Sequence, residues 1–355
     1  MTTSRSGSVP RGRRSERTRR GAAGRRSRRA AAFVVVLVLL GVAYYVGLFV
    51  YAENSVDRRD VLRPVGPEIL SPERQLEAQN FLVVGRDGGD RDTTMVAHLS
   101  ADRSRAVVVV FPGQSLVDVP PCTAPDGSGV EPFTGAFDRV LQTGGADCLV
   151  RTVQALTGLR IHHYVQITIT GVPAMVDAVG GVPLCLAGPV RDAGSGLSLP
   201  AGASTLSGAQ ALPFLRSQAE SGAAEVARIQ RQQQFLASLL DRALAASTLA
   251  NPVRLTRFVS ASVDSVTLDP DTTFRDLRSL VGVLKDISGS SVVFVTAPVA
   301  QADYRPAGSA ESFTVLDEEL GARLYRSVID EATVVLPQGG AALDRAATAA
   351  GGGCP

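Results

Sequence analysis

From Ala30 to Tyr51 the chain runs without a charged residue and is largely apolar, about long enough as a helix to cross a bilayer. Arg28 and Arg29 stand directly before this run, and Glu53 and Asp57 follow it. Basic residues stay on the cytoplasmic side, so the asymmetry predicts a cytoplasmic N-terminus and an exported remainder. The run is too long for the apolar core of a cleaved signal peptide. The expected organisation is a disordered basic cytoplasmic tail over 1–29, one transmembrane helix over 30–51 and a juxtamembrane linker over 52–74. An extracytoplasmic domain over 75–335 and a disordered tail over 336–355 complete it, which places the protein in the cell membrane as a single-pass protein.

Charge follows the same division. Residues 1–29 hold eleven arginines and one glutamate, a net +10, whereas the whole chain is +2, which leaves −8 for the rest. The basic tail reads as a topology and anionic-lipid signal, and no nucleic-acid partner is needed to explain it. Export permits disulfides. Cys122 and Cys148 flank a stretch rich in Pro, Gly and Asp, from Pro120 to Gly145, that a cross-link would pin. Cys185, beside the apolar run Val182–Leu184, is expected to be a buried thiol, and Cys354 lies in the Gly/Ala tail. There is no Cys-x-x-Cys pair and no grouping of cysteines with His98, His162 or His163, which argues against zinc.

Apolar periodicity predicts strands at Asn80–Val84, Thr94–Leu99, Ala106–Phe111, Tyr164–Ile169 and Val292–Val295. It predicts helices at Cys148–Thr157, Val172–Val179, Gly208–Arg216 (with Ser207 as cap), Leu255–Ser262 and Thr273–Asp286. A further helix carries Arg228-Ile-Gln-Arg-Gln-Gln-Gln234 and runs to about Ala246. Strands interspersed with helices throughout argue an α/β fold, an αβα sandwich around a mixed, mostly apolar sheet. On the arginine-rich helix, Arg228, Arg231 and Gln232 share one face. Guanidinium groups stay charged and match phosphate oxygens bidentately, so this face reads either as a solvated surface or as a phosphate cradle.

Several segments in order resemble the LytR–CpsA–Psr family of bacterial cell-wall proteins. They are the membrane anchor, Asn80-Phe-Leu-Val-Val-Gly-Arg-Asp87, Asp92-Thr-Thr-Met, Val117-Asp-Val-Pro and His163-Tyr-Val-Gln-Ile. Val176-Asp-Ala-Val-Gly-Gly-Val-Pro-Leu-Cys, Ser195-Gly-Leu-Ser-Leu-Pro-Ala-Gly, Thr205-Leu-Ser-Gly-Ala-Gln-Ala-Leu and the Arg228 helix continue the series. The resemblance spans about residues 75–250. Abundant Ala, Gly, Val and Arg, with Lys285 the only lysine, suggest the actinobacterial type.

The resemblance implies a sandwich that buries a polyprenyl chain against its sheet. It also implies transfer of a glycopolymer from a polyprenyl-pyrophosphate carrier to peptidoglycan, with magnesium as cofactor and the membrane as a further partner. On this basis Asp87 and Asp92 are the expected magnesium ligands, and Asp92, Arg216 and Arg228 the catalytic residues. Arg91, Arg216, Arg228, Arg231 and Gln232 would bind substrate phosphate. A pyrophosphate in an apolar cleft needs fixed cations, and carboxylates to hold the metal, which is why these residue types recur.

The departures fall on charged positions. Phe111-Pro112-Gly113-Gln114 stands where the family has Ile-Pro-Arg-Asp, and Asp90-Arg91-Asp92-Thr93 where it has Arg-Ser-Asp-Thr. Gln218 replaces the second arginine of Arg-x-Arg, Glu131-Pro132-Phe133-Thr134 lacks the usual lysine, and Pro213 interrupts the helix leading to Arg216. Two readings therefore stand: a membrane-anchored glycopolymer transferase of reduced activity, or a non-catalytic homologue that binds lipid-linked precursors or partner enzymes as scaffold or regulator.

Overall fold

The computed structural model describes residues 16–332 apart from 88–91, 187, 193, 218–230, 232–233, 237, 274–275, 278, 281–291 and 309–310. For 16–32, 34, 37–38 and 292 it describes the backbone alone. The chain divides into Met1–Asn54 and Ser55–Pro355. In the first unit helix α1 spans Glu16–Ser55. Helix rather than disorder thus occupies the second half of the basic stretch, where arginine is a good helix former and continues a helix already nucleated downstream. Among the described residues no helix is long and apolar enough to cross a membrane.

The second unit is built on a seven-stranded mixed sheet. Its strands are β1 (Asp57–Arg58), β2 (Gln79–Arg86), β3 (Thr93–Leu99) and β4 (Ala106–Phe111). β5 (Leu116–Val119) and β6 (Phe133–Ala136) form a separate antiparallel pair. β7 (His163–Thr168), then β8 (Val182–Leu186) paired with β9 (Gly202–Leu206), β10 (Val266–Leu268) and β11 (Val292–Thr296) follow. The large sheet runs in the order β1-β10-β7-β2-β3-β4-β11. β2–β3–β4 is an antiparallel meander, and β7 and β11 add on either side in parallel.

Alternation assigns the faces. Leu82, Val84, Val96, Val109, Phe111, Tyr164 and Val295 share one cluster with helix α2 (Phe137–Thr157), through Val140, Leu149 and Val153. Phe81, Ala97 and Val108 point to the opposite face and are equally buried. A sheet buried on both faces is what the continuous Val/Leu runs require. A second cluster joins helices α3 (Val172–Val179) and α4 (Gly208–Arg216) to the β8–β9 pair and to Phe235, Leu239 and Ala243. Helix α5 (Pro252–Val263), capped by Asn251, packs on this layer through Phe258.

The expected α3 and α4 match to the residue, and the strands match within one or two. Helix α2 is kinked at Gly145, whose backbone is non-helical (φ 77°), and so consists of two helical segments. The segment after the kink is the expected helix over Cys148–Thr157, and the one from Phe137 to the glycine pair is unexpected. Two further elements have weak sequence signals: a hairpin of β12 (Val299–Tyr304) and β13 (Phe313–Leu316), and helix α6 (Glu318–Ile329). The expected helix over Thr273–Asp286 and the expected disordered tail from 336 lie largely or wholly outside the described residues.

Cys122 and Cys148 form the expected disulfide, with Cα atoms 5.0 Å apart. Cys185 departs from expectation: it is half-buried and itself disulfide-bonded, not a free thiol. An edge position on β8, with alternate residues facing out, gives its sulfur access to a partner that a core position would deny.

Candidate functional site

The β2–β3 turn and the end of β4 lie at one end of the sheet, and the candidate site is assembled there. Asp87 leaves β2 and Asp92 enters β3; the Asp87 N–H donates to Asp92 Oδ1 at 2.9 Å, so a side chain closes the turn. Asp92 is 7% exposed. Asp87 receives Arg216 from across the molecule: Nε donates to Oδ1 at 2.8 Å and to Oδ2 at 3.0 Å, and Nη2 also donates to Oδ1. That hydrogen bonding raises the guanidinium pKa further above its ordinary value. Asp87 is thus no solvated turn acid, and its bonds to Arg216 leave lone pairs that a metal ion could still use. It is the residue that aims Arg216.

Arg216 reaches this point because α4 is firmly seated. Ser207 and Gln210 form a capping box at its start, and the Gly208 N–H donates to Asp177 Oδ1 on α3 at 2.8 Å. A Cβ on Gly208 would stand 2.3 Å from the Pro173 carbonyl oxygen, so only glycine permits this approach. Pro213 is accommodated without ending the helix, and its neighbour Phe214 is buried. Phe214 meets Phe235 with ring centroids 6.1 Å apart. Arg231 lies one helical turn before Phe235 on the same face, in helical backbone and half-buried. Arg91, Arg228 and Gln232 lie outside the described residues.

The guanidinium has two edges. Arg216 spends the Nε–Nη2 edge on Asp87, and among the described residues nothing accepts from Nη1. With its side chain 37% exposed, it presents that edge to solvent, the geometry of an anion clamp. For a magnesium ion, Asp87 would offer the lone pairs that Arg216 leaves and Asp92 a second carboxylate, and magnesium commonly takes one or two carboxylates together with the phosphate oxygens of its ligand. Among the described residues no cluster of three or more His, Cys, Asp or Glu side chains could hold a metal ion.

At the same end of the sheet, the chain leaving β4 makes a different arrangement. After β4, Gln114 Nε2 donates to Asp138 Oδ2 at 2.7 Å, and Asp138, in the first turn of α2, is 4% exposed. The two residues are 24 apart, and no spacing in the sequence signals their pairing.

Comparison with known proteins places this geometry. The sequence model of the LytR_cpsA_psr family matches residues 46–323, more than half of the chain. Cell wall biosynthesis protein LcpA of Corynebacterium glutamicum is 35% identical over 159 residues, which are 45% of this chain and 30% of that protein. Probable cell wall biosynthesis protein LcpB of the same organism is 33% identical over 246 residues, 63% of this chain and 56% of that one. The chain therefore spans about a third to a half of the length of these relatives. A polyisoprenyl-teichoic acid–peptidoglycan teichoic acid transferase, TagU of Oceanobacillus iheyensis, is 27% identical over 250 residues, covering 68% and 75% of the two chains. Among solved structures, a LytR-Csp2A-Psr enzyme from Actinomyces oris superposes with a TM-score of 0.51 at 20% identity, over 77% of this chain and 95% of that one. That likeness supports the mixed α/β fold.

Proposed function

The chain belongs to the LytR_cpsA_psr family, and from that premise we propose that it transfers a glycopolymer from a polyprenyl-pyrophosphate carrier to peptidoglycan in cell-wall biogenesis. The observation that carries the reading is the Asp87–Arg216 clamp beside the buried Asp92, at the end of the sheet.

In the reaction, an acceptor hydroxyl oxygen bonds to phosphorus and releases its proton to solvent, while the bond from phosphorus to the polyprenyl-phosphate leaving group breaks and that phosphate departs with the bonding electron pair. Negative charge builds on the leaving phosphate. Arg216, pre-aimed by Asp87, meets that charge through Nη1 without reorganising, which is where a fixed donor contributes most. Arg231, and with it Arg228 and Gln232 of the same sequence face, would hold the second phosphate. Magnesium, taken by Asp87, Asp92 and phosphate oxygens, would supply further charge neutralisation when bound. Relative to the family's sequence pattern, Gly113, Gln114 and Gln218 stand in place of charged residues, and the rate we propose is reduced accordingly.

Two features support a membrane-anchored, exported protein: the uncharged Ala30–Tyr51 run behind its arginines, and the Cys122–Cys148 disulfide, which persists in oxidising compartments. The test uses the full chain with a lipid-pyrophosphate-linked glycan, magnesium and a peptidoglycan acceptor. Transfer is expected, with Arg216→Gln slowing it by about two to three powers of ten. Asp87→Asn should act in the same direction through loss of aim. No transfer by the wild type, with lipid-pyrophosphate still bound, would favour the scaffold reading instead.

A further inference from the structure

The corner between β4 and β5 is held from several sides. The Ser115 N–H donates to the Pro112 carbonyl at 3.0 Å, and the Asp138 N–H to the Gly113 carbonyl at 2.9 Å. The Phe137 N–H donates to the Ser115 carbonyl at 2.8 Å, and the Thr314 N–H, from β13, to the Gln114 carbonyl at 2.8 Å. Arg139, next to Asp138, forks onto Glu311 of the same hairpin at 2.9 and 3.1 Å. β3 and β4 pair as Thr94 with Phe111. Asp92 and Gly113 each lie two residues beyond this last pair of the ladder, so this corner and the clamp are at the same end of the sheet.

A Cβ at Gly113 would lie 3.2 Å from both Cβ and Oδ2 of Asp138. The Asp138 carboxyl stands in the space that a side chain at 113 would need. The missing side chain and the buried acid are therefore one structural arrangement. A carboxylate only accepts, so it fixes the Gln114 amide with Nε2 inward and Oε1 outward. Gln114 is exposed, and among the described residues nothing donates to Oε1. An outward acceptor backed by an acid repels phosphate and accepts from hydroxyl groups.

We propose that Gln114, oriented by Asp138, is a specificity-determining subsite that accepts a hydroxyl of the acceptor glycan at the same end of the sheet as the Arg216 clamp. This rests on the transferase reading of the site. It divides the site into an anion-binding part, Arg216, and a part that accepts sugar hydroxyls. Gln114 is the contact and Asp138 the positioning residue, since the latter meets no ligand.

Binding to the full chain in detergent separates the two parts. The probes are an N-acetylglucosaminyl–N-acetylmuramyl disaccharide and inorganic pyrophosphate, followed by protein-observed NMR titration. Gln114→Ala should weaken the disaccharide about three- to tenfold, the worth of one neutral hydrogen bond, and leave pyrophosphate unchanged. Arg216→Gln should do the reverse. Asp138→Asn, which no longer dictates the amide's direction, should weaken the disaccharide while the thermal midpoint holds; should that variant not fold, the Gln114→Ala arm decides alone. Disaccharide affinity equal in wild type and Gln114→Ala, or no disaccharide binding by the wild type, overturns the subsite and leaves the transferase reading standing. Failure of the wild type to bind pyrophosphate strikes that reading instead.

Discussion

Asp87 and Arg216 are 129 residues apart, and their meeting turns two ambiguous side chains into a clamp. Each has an ordinary explanation in the sequence, a turn acid and a helix-end cation. The shared bond removes both explanations, because a carboxylate that holds two guanidinium nitrogens is not free in solvent. Other residues at the same end of the sheet are organised by what they lack. Ser115 is fully buried, and its Oγ has no hydrogen-bond partner among the described residues. A buried hydroxyl without a partner carries its desolvation cost uncompensated. Ser115→Ala should therefore be neutral or stabilise by up to about 1 kcal/mol, measured by urea unfolding. A loss of about 1 kcal/mol or more would show that the hydroxyl is bonded.

At the level of elements, the stretch from Pro120 to Gly145 shows how local composition and tertiary role diverge. Its prolines and glycines read as a loose excursion, yet it holds a two-residue strand pair at Cys122–Thr123 and Gly129–Val130, β6, and the first turns of α2. The Cys122–Cys148 disulfide ties this segment to α2, closing a loop with a sequence separation of 26. Buried Asp147 adds a second tie, accepting from the Thr123 N–H at 2.9 Å and meeting Arg63 and Arg151 at 2.9 and 3.1 Å. Replacing both cysteines by serine should lower stability by about 2–4 kcal/mol, largely because the unfolded chain regains loop entropy. A thermal midpoint indistinguishable from wild type would show that Asp147 and the α2 packing hold the segment without the bond. The Arg139–Glu311 fork, with both side chains nearly half exposed, should contribute well under about 1 kcal/mol, so its role is placement more than stability.

At the scale of the whole molecule, acid sensitivity follows from two imidazoles at the end of the sheet away from the clamp. His98 Nδ1 donates to Asn80 Oδ1 at 2.7 Å, since the Asn80 amide nitrogen is spent on the Arg160 carbonyl, and His162 Nδ1 accepts from the Asn80 N–H at 3.1 Å. Burial pushes both rings down to a pKa of about 4, for His98 against the opposing pull of Glu331. Their ordinary value is 6.5, so below that pH the unfolded chain takes up protons that the fold refuses. Stability should be full above pH 6.5 and fall as pH drops towards 4, by up to roughly 3 kcal/mol per ring. Thermal unfolding from pH 7.5 to 4.5 checks this, and His98→Gln should flatten the slope; a midpoint constant over that range would contradict it. What the sequence by itself determined was everything carried by short-range periodicity: the separate strands β2, β3 and β4, the helices α3 and α4, and the family motifs that run along them. Apolar alternation at two or near four residues is a local signal, and burial merely confirms it. What only the tertiary structure decided were the pairings between distant residues, Asp87 with Arg216, Gln114 with Asp138 and Thr314 with Gln114. A side chain's chemistry is set by its neighbours in space, and no pattern along the chain encodes which residue, 24 or 129 positions away, that neighbour will be.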